Sequence, residues 1–169
     1  MSHLLIRTAG FAVLMLGLQT GIGTADTLSA SLLGYNVVPS VFTAGSGKFT
    51  GTTTATTINY TITYKNLAGA VQQAHIHFGQ PGTVGAIIAF LCTNLGNGPA
   101  GTPPCPAPPA TVTGTVTAAR IVGIAASQGI GAGQISRVIK VINDNAAYVS
   151  VHSTMWPGGE IRAPIATVP

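Results

Sequence analysis

Thr57-Ile58-Asn59-Tyr60-Thr61-Ile62-Thr63-Tyr64-Lys65 decides the fold class. Ile58, Tyr60, Ile62 and Tyr64 fall on every second position, and threonine or asparagine fills the positions between them. A period of two puts the large apolar side chains on one face of a strand and the hydroxyls on the other, as in a half-buried β-strand. The β-branched threonines suit the same surface. Working outward, strands are expected near 28–34, 46–54, 71–78, 86–92, 111–117, 146–152 and 159–166, with Gly, Pro and Asn clusters between most of them. About eight short strands in one chain predict an all-β, antiparallel Greek-key sandwich or barrel.

One stretch follows another period. Ile135, Val138, Ile139 and Ile142 lie at i, i+3, i+4 and i+7 within 134–143, which predicts a short helix in a late connection. Its apolar stripe would cap one end or edge of the sheet, and Asn143-Asp144-Asn145 would stop it. The Ala/Gly/Ile-rich segment 118–133 matches neither period. No internal repeat and no linker divides the chain, so a single domain is expected over 26–169.

The first 25 residues read differently. His3 and Arg7 precede the apolar run Phe11–Leu18, and Gly23-Thr24-Ala25 supplies small residues after it. These are the parts of a secretory signal peptide, with cleavage expected after Ala25. The apolar run is short for a bilayer span, and no second run of spanning length follows, so no membrane span is expected after cleavage. The expected location is therefore the periplasm or the exterior.

Charged residues make up only 6% of the chain, against 46% hydrophobic ones, which excludes disorder of the charge-rich kind. The sequence pI of about 9.4 rests on few groups. Lys48, Lys65, Arg120, Arg137, Lys140 and Arg162 are scattered, whereas a nucleic-acid surface needs them clustered. Cys92 and Cys105 bound the Gly/Pro-rich stretch LCTNLGNGPAGTPPCP. In an oxidising compartment such a pair forms a disulfide, worth roughly 3 kcal/mol for a loop of this length. No CxxC spacing suggests that the sulfurs bind metal.

The chemistry-bearing residues are histidines. Ala74-His75-Ile76-His77-Phe78 places His75 and His77 on one face of a strand, close enough to share an ion. Tyr148, Ser150 and His152 share a face of Tyr148-Val149-Ser150-Val151-His152. If the two strands meet, three imidazoles converge, a donor set suited to copper or zinc. Glu160 and Arg162 share a face of the strand that follows. They can pair with each other, or Glu160 can orient a histidine by accepting its ring N–H. A buried polar network without metal would use the same residues. No Ser-His-Asp set is readable, and the paired carboxylates of glycoside chemistry are lacking.

Taken together, these segments resemble the CHRD domain, the module first described in chordin and widespread in exported bacterial proteins. The matching pieces are Leu28-Ser-Ala-Ser-Leu-Leu-Gly34 with Val37-Val-Pro39, Gly45-Ser-Gly47, and Tyr60-Thr-Ile-Thr-Tyr64 with Leu67. Ala74-His-Ile-His77 with Gly79 and Gly85, the Cys92–Cys105 loop, Ala147-Tyr-Val-Ser-Val-His152 and Pro157-Gly-Gly-Glu-Ile-Arg162 complete the set in family order. The family tends to carry Glu before Val-Pro and Asn before Val-His, where this chain has Val37 and Ser150. The resemblance implies little about activity; the neutral, Thr/Ser/Gly-rich composition and the absence of a nucleophile–base pair predict an exported, non-catalytic binding or structural module whose partner is an extracytoplasmic protein or surface component.

A second resemblance is to copper/zinc superoxide dismutase, carried by His75-x-His77 followed by Phe78-Gly79, and by Val151-His152 ahead of an arginine strand. It implies a copper-binding alternative with His75, His77 and His152 as ligands and Arg162 as the group that attracts a small anion. The enzyme's histidine-rich zinc loop and bridging histidine have no counterpart here, although copper-only relatives of that enzyme manage without zinc.

Overall fold

A computed structural model describes residues 25–168. The signal-peptide reading of residues 1–25 therefore lies outside the described residues, save Ala25. Nine strands and one α-helix follow in order: β1 (Thr27–Leu33), β2 (Ser46–Thr53), β3 (Ile58–Lys65), β4 (Val71–Phe78), β5 (Ala86–Thr93), β6 (Ala110–Val116), α1 (Ile135–Asn143), β7 (Ala147–Ser153), β8 (Ile161–Pro164) and β9 (Ala166–Val168).

All the pairings are antiparallel, in the spatial order β5-β4-β7-β8-β1-β2-β3-β6, with β9 also paired to β1. The chain leaves β3 for β4 on the far side, returns to set β6 beside β3, and crosses again to set β7 beside β4. This is Greek-key connectivity, and it nearly closes the sheet. The end strands β5 and β6 face each other across the gap. There the buried Tyr60 hydroxyl on β3 donates to the Leu91 carbonyl on β5 at 2.5 Å.

The period-two reading of β3 appears directly in its burial. Ile58, Tyr60, Ile62 and Tyr64 are buried, while the alternating residues reach solvent to varying degrees. Phe49, Leu28, Leu32, Ile76, Ile88 and Leu91 complete the centre of the core. Burying a side chain of this size contributes about 1.5–3 kcal/mol, so the apolar alternation on the strands supplies most of the driving force.

Helix α1 occupies the expected position. Its buried residues Ile135, Val138 and Ile142 lie on the stripe, join the same core and lie against β7 and β9. It ends where expected, with Asn145 in the left-handed region at φ 56° and its N–H donating to the Ile142 carbonyl. The segment 118–133, which matched neither period, forms two 3₁₀ turns, Ala118–Arg120 and Gly123–Gln128. Between them Ile121 bridges Ala89 of β5. Such tight turns have no sustained apolar period, so pattern reading could not resolve them.

Cys92 and Cys105 are bonded and pin the loop between β5 and β6. Asn94 holds the same loop from inside: its amide donates to the Val71 and Cys105 carbonyls and its oxygen accepts the Cys105 N–H. Among the described residues, no helix is long and apolar enough to cross a membrane.

Candidate metal centre

Strands β4 and β7 are hydrogen-bonded neighbours, with His75 opposite Ser150 and His77 opposite Tyr148. His152 lies opposite Gln73, one same-face step beyond Ser150, and so reaches His75 diagonally. Ile76, on the other face of β4, is fully buried in the core. The histidines thus stand on the outside of the sheet, where three loops cover them: 34–45, 79–85 and 154–159. His75, His77 and His152 are 0%, 7% and 6% exposed, so all three rings are out of bulk water.

The three rings converge. One donor atom from each lies within 4.8 Å of the other two. His75 Nδ1 and His152 Nε2 are 3.3 Å apart. Two nitrogens on one tetrahedral ion, each about 2.0–2.1 Å from it, stand about 3.3–3.4 Å apart. That pair already has the spacing of a shared ion, and the wider separations in the group, up to 4.8 Å, close by about 1.5 Å or less to meet it.

Backbone carbonyls fix two of the three tautomers. His77 Nδ1 lies 3.0 Å from the Gly85 carbonyl, and His152 Nδ1 lies 2.9 Å from the Pro157 carbonyl. A carbonyl only accepts, so each Nδ1 carries the proton and each Nε2 keeps its lone pair. His77 Nε2 is buried and has no partner, and neither has His75 Nε2. With His152 Nε2 as acceptor, His75 Nδ1 donates to it in the ion-free protein, which leaves His75 Nε2 idle. To help hold an ion, His75 would take its other neutral tautomer, with the proton on Nε2 and the Nδ1 lone pair turned towards His152 Nε2.

Burial keeps these rings neutral. It lowers the pKa of His75 to about 2, with further lowering from His152 and His77, and that of His77 to about 4 against the raising effect of the Gly85 carbonyl. His152 is lowered by the same cause. Neutral imidazole is the form that ligates a metal.

The surroundings are aromatic and cationic. Tyr148 stacks on His77 with ring centroids 4.6 Å apart and planes 7° apart. Arg162 sets its guanidinium 3.4 Å from the Tyr148 ring centroid and donates to the Thr83 carbonyl at 2.5 Å. A pocket of about 60 Å³ opens on His77, His152, Tyr148, Ser150 and Arg162, roofed by Val37, Val38 and Gly158. A water molecule needs roughly 10–15 Å³ of such space. The pocket has room for waters or a small inorganic anion beside the histidines.

Glu160 does not join this group, which corrects the expectation that it orients a histidine or pairs with Arg162. It precedes β8, which begins at Ile161. Its side chain is fully buried elsewhere, where Oε1 accepts from the Thr43 hydroxyl at 2.7 Å and the Ala68 N–H at 2.6 Å. The carboxylate ties the loops after β1 and β3 to the start of β8. Tyr148 and Arg162, by contrast, do border the histidines.

Sequence reasoning did not single out the carbonyls of Gly85 and Pro157 that set the tautomers. Any residue type carries a carbonyl, so composition holds no signal for them. The only trace is the glycine at 85, where an added Cβ would stand 1.7 Å from the Phe78 carbonyl oxygen. Gly159 is similar: φ is +123°, and a Cβ there would lie 2.8 Å from Ser150 Oγ.

The CHRD domain profile matches residues 28–165. The chain belongs to the CHRD family. That match spans β1 to β8 and contains all three histidines, the disulfide and Arg162. Neither the curated proteins nor the solved structures gave a match to this CHRD chain, so the likeness to copper/zinc superoxide dismutase gains no support from those comparisons.

Proposed function

We propose that this protein is an extracytoplasmic CHRD-domain module that holds one transition-metal ion, copper, on His75, His77 and His152. One observation carries the reading: two ring nitrogens whose tautomers are locked by backbone carbonyls present lone pairs beside a third imidazole, in a buried place that offers them no protein donor for every nitrogen. A purely structural network of buried polar groups has to be fully satisfied to be tolerated, and the buried His77 Nε2, its lone pair free and turned towards the other two rings, has no partner in such a network. Copper is favoured among divalent ions because an all-nitrogen site follows the general affinity order, in which Cu²⁺ stands highest. The signal-peptide pattern and the disulfide support export.

The small pocket supports ion holding rather than turnover of an organic substrate, in keeping with a non-catalytic module. A second reading, dismutation of superoxide at the bound copper, is favoured by the Arg162 guanidinium on the same pocket. It requires copper-loaded protein to consume superoxide, with Arg162→Ala slowing the reaction at unchanged copper content.

The test is metal content. Purified protein loaded with Cu²⁺ or Zn²⁺ and dialysed is expected to retain about one copper per chain by mass spectrometry of the metal. His77→Ala and His152→Ala are expected to retain less than a tenth of that. Equal copper content in wild type and both variants, or no copper in the wild type, refutes the site.

A further inference from the structure

The loops that cover the histidines carry an unusual surface. Tyr35 and Phe42 on the first, Val84 on the second, and Met155 and Trp156 on the third all rank among the exposed large hydrophobics. Phe42 is 85% exposed, and its ring centroid lies 6.4 Å from that of Tyr35. The loops meet around Val38, which lines one hollow with Tyr35, another with Val84 and a third with Trp156. The patch is therefore continuous. Lone exposed apolar residues are ordinary on a soluble protein, but a contiguous group marks a contact surface.

Its size and charge identify what it meets. At about 200 Å² per aromatic side chain, the exposed parts of Tyr35, Phe42 and Trp156 supply about 400 Å². With Met155 and Val84, each more than half exposed, the area comes to about 600 Å², the upper range for the largest patch on a typical monomer. Two such faces together bury about 1,200 Å², the lower end for specific protein–protein interfaces. No Asp, Glu, Lys or Arg occurs in 34–45, 79–85 or 154–159. The six Lys and Arg of the domain outnumber its three acidic residues, and the exposed cations Lys48, Lys65, Arg137 and Lys140 lie off these loops. Two copies meeting through this neutral face desolvate no loop charge and keep their like net charges apart. An anionic lipid surface would call for a row of exposed Lys or Arg around the patch; the cation that borders it, Arg162, is buried on the Tyr148 ring.

We infer that a second copy of this chain docks on the Tyr35–Phe42–Trp156 face, giving an isologous dimer whose two histidine clusters are closed off beneath the contact. The position of the clusters rests on the metal reading; the contact itself does not. In the dimer the loops over each ion are held shut, and ion exchange requires the protomers to part.

Sedimentation velocity on the purified protein from 1 to 200 µM tests this. A concentration-dependent dimer is expected for the wild type and for metal-free His77→Ala. Phe42→Asp combined with Trp156→Asp is expected to weaken association at least 30-fold, while keeping the wild-type copper content and circular-dichroism spectrum. A wild type that is monomeric throughout overturns the inference. So does a dimer that the double variant leaves intact, or a monomer that co-sediments with phosphatidylcholine vesicles through the same residues. Loss of copper binding with retention of the dimer sinks the metal reading alone.

Discussion

Acid should destabilise the metal-free protein through the histidines, and His77 gives the magnitude. Its pKa in the unfolded chain is near 6.5, and burial lowers it to about 4 in the folded protein. Between those values the unfolded chain takes up a proton that the folded chain refuses, so stability is lost as pH falls from 6.5 towards 4 and is fully present above 6.5. At 1.36 kcal/mol per pH unit, the interval corresponds to about 3 kcal/mol from His77 alone. His75 and His152 are shifted in the same direction and add to it. A domain holding 5–15 kcal/mol in all then loses a large part of its margin by pH 4. Urea unfolding followed by far-ultraviolet circular dichroism at pH 7.5, 6, 5 and 4 measures the loss. His77→Gln, polar and uncharged at every pH, is the comparison. The wild type should lose about 3 kcal/mol more than the variant across this range. Parallel stability curves would refute the claim that burial, not surface exposure, governs this ring.

Two further outcomes follow from the same structure. Gly85→Ala forces the chain away from Phe78 and so moves the carbonyl that holds His77 Nδ1; copper affinity should fall by about 10–100-fold, read by competition with a chelating dye. Unchanged affinity would mean that the Gly85 carbonyl does not orient the ligand. Cys92→Ser combined with Cys105→Ser releases the β5–β6 loop and should cost roughly 3 kcal/mol in urea unfolding, with little change in copper content, since the bond lies outside the histidine group.

Much of this was legible in the linear chain. Alternation such as Ile58/Tyr60/Ile62/Tyr64 depends only on the two-residue period of a strand, and the stripe Ile135/Val138/Ile142 only on the helical one, so both elements appear where the pattern puts them. The placement of His75 and His77 on a common face is local geometry of the same kind. The 3₁₀ turns of 118–133 were not legible, because short turns leave no periodic trace. Glu160 misled for a related reason. Its spacing from Arg162 suggests a shared strand face, but the strand starts one residue later, and long-range packing delivers the carboxylate to Thr43 and Ala68 instead.

What the amino-acid order determined by itself was a set of strands, their buried faces, and which side of each strand carries an imidazole. These are properties of neighbours along the chain. Only the tertiary structure decided that β7 lies beside β4, 77 residues on from His75 to His152, and with what register. That choice depends on how the whole apolar surface is buried at once as the Greek-key sheet nearly closes. It is also what brings Gly85 and Pro157 to the outer nitrogens of the rings and leaves the inner ones turned towards one another.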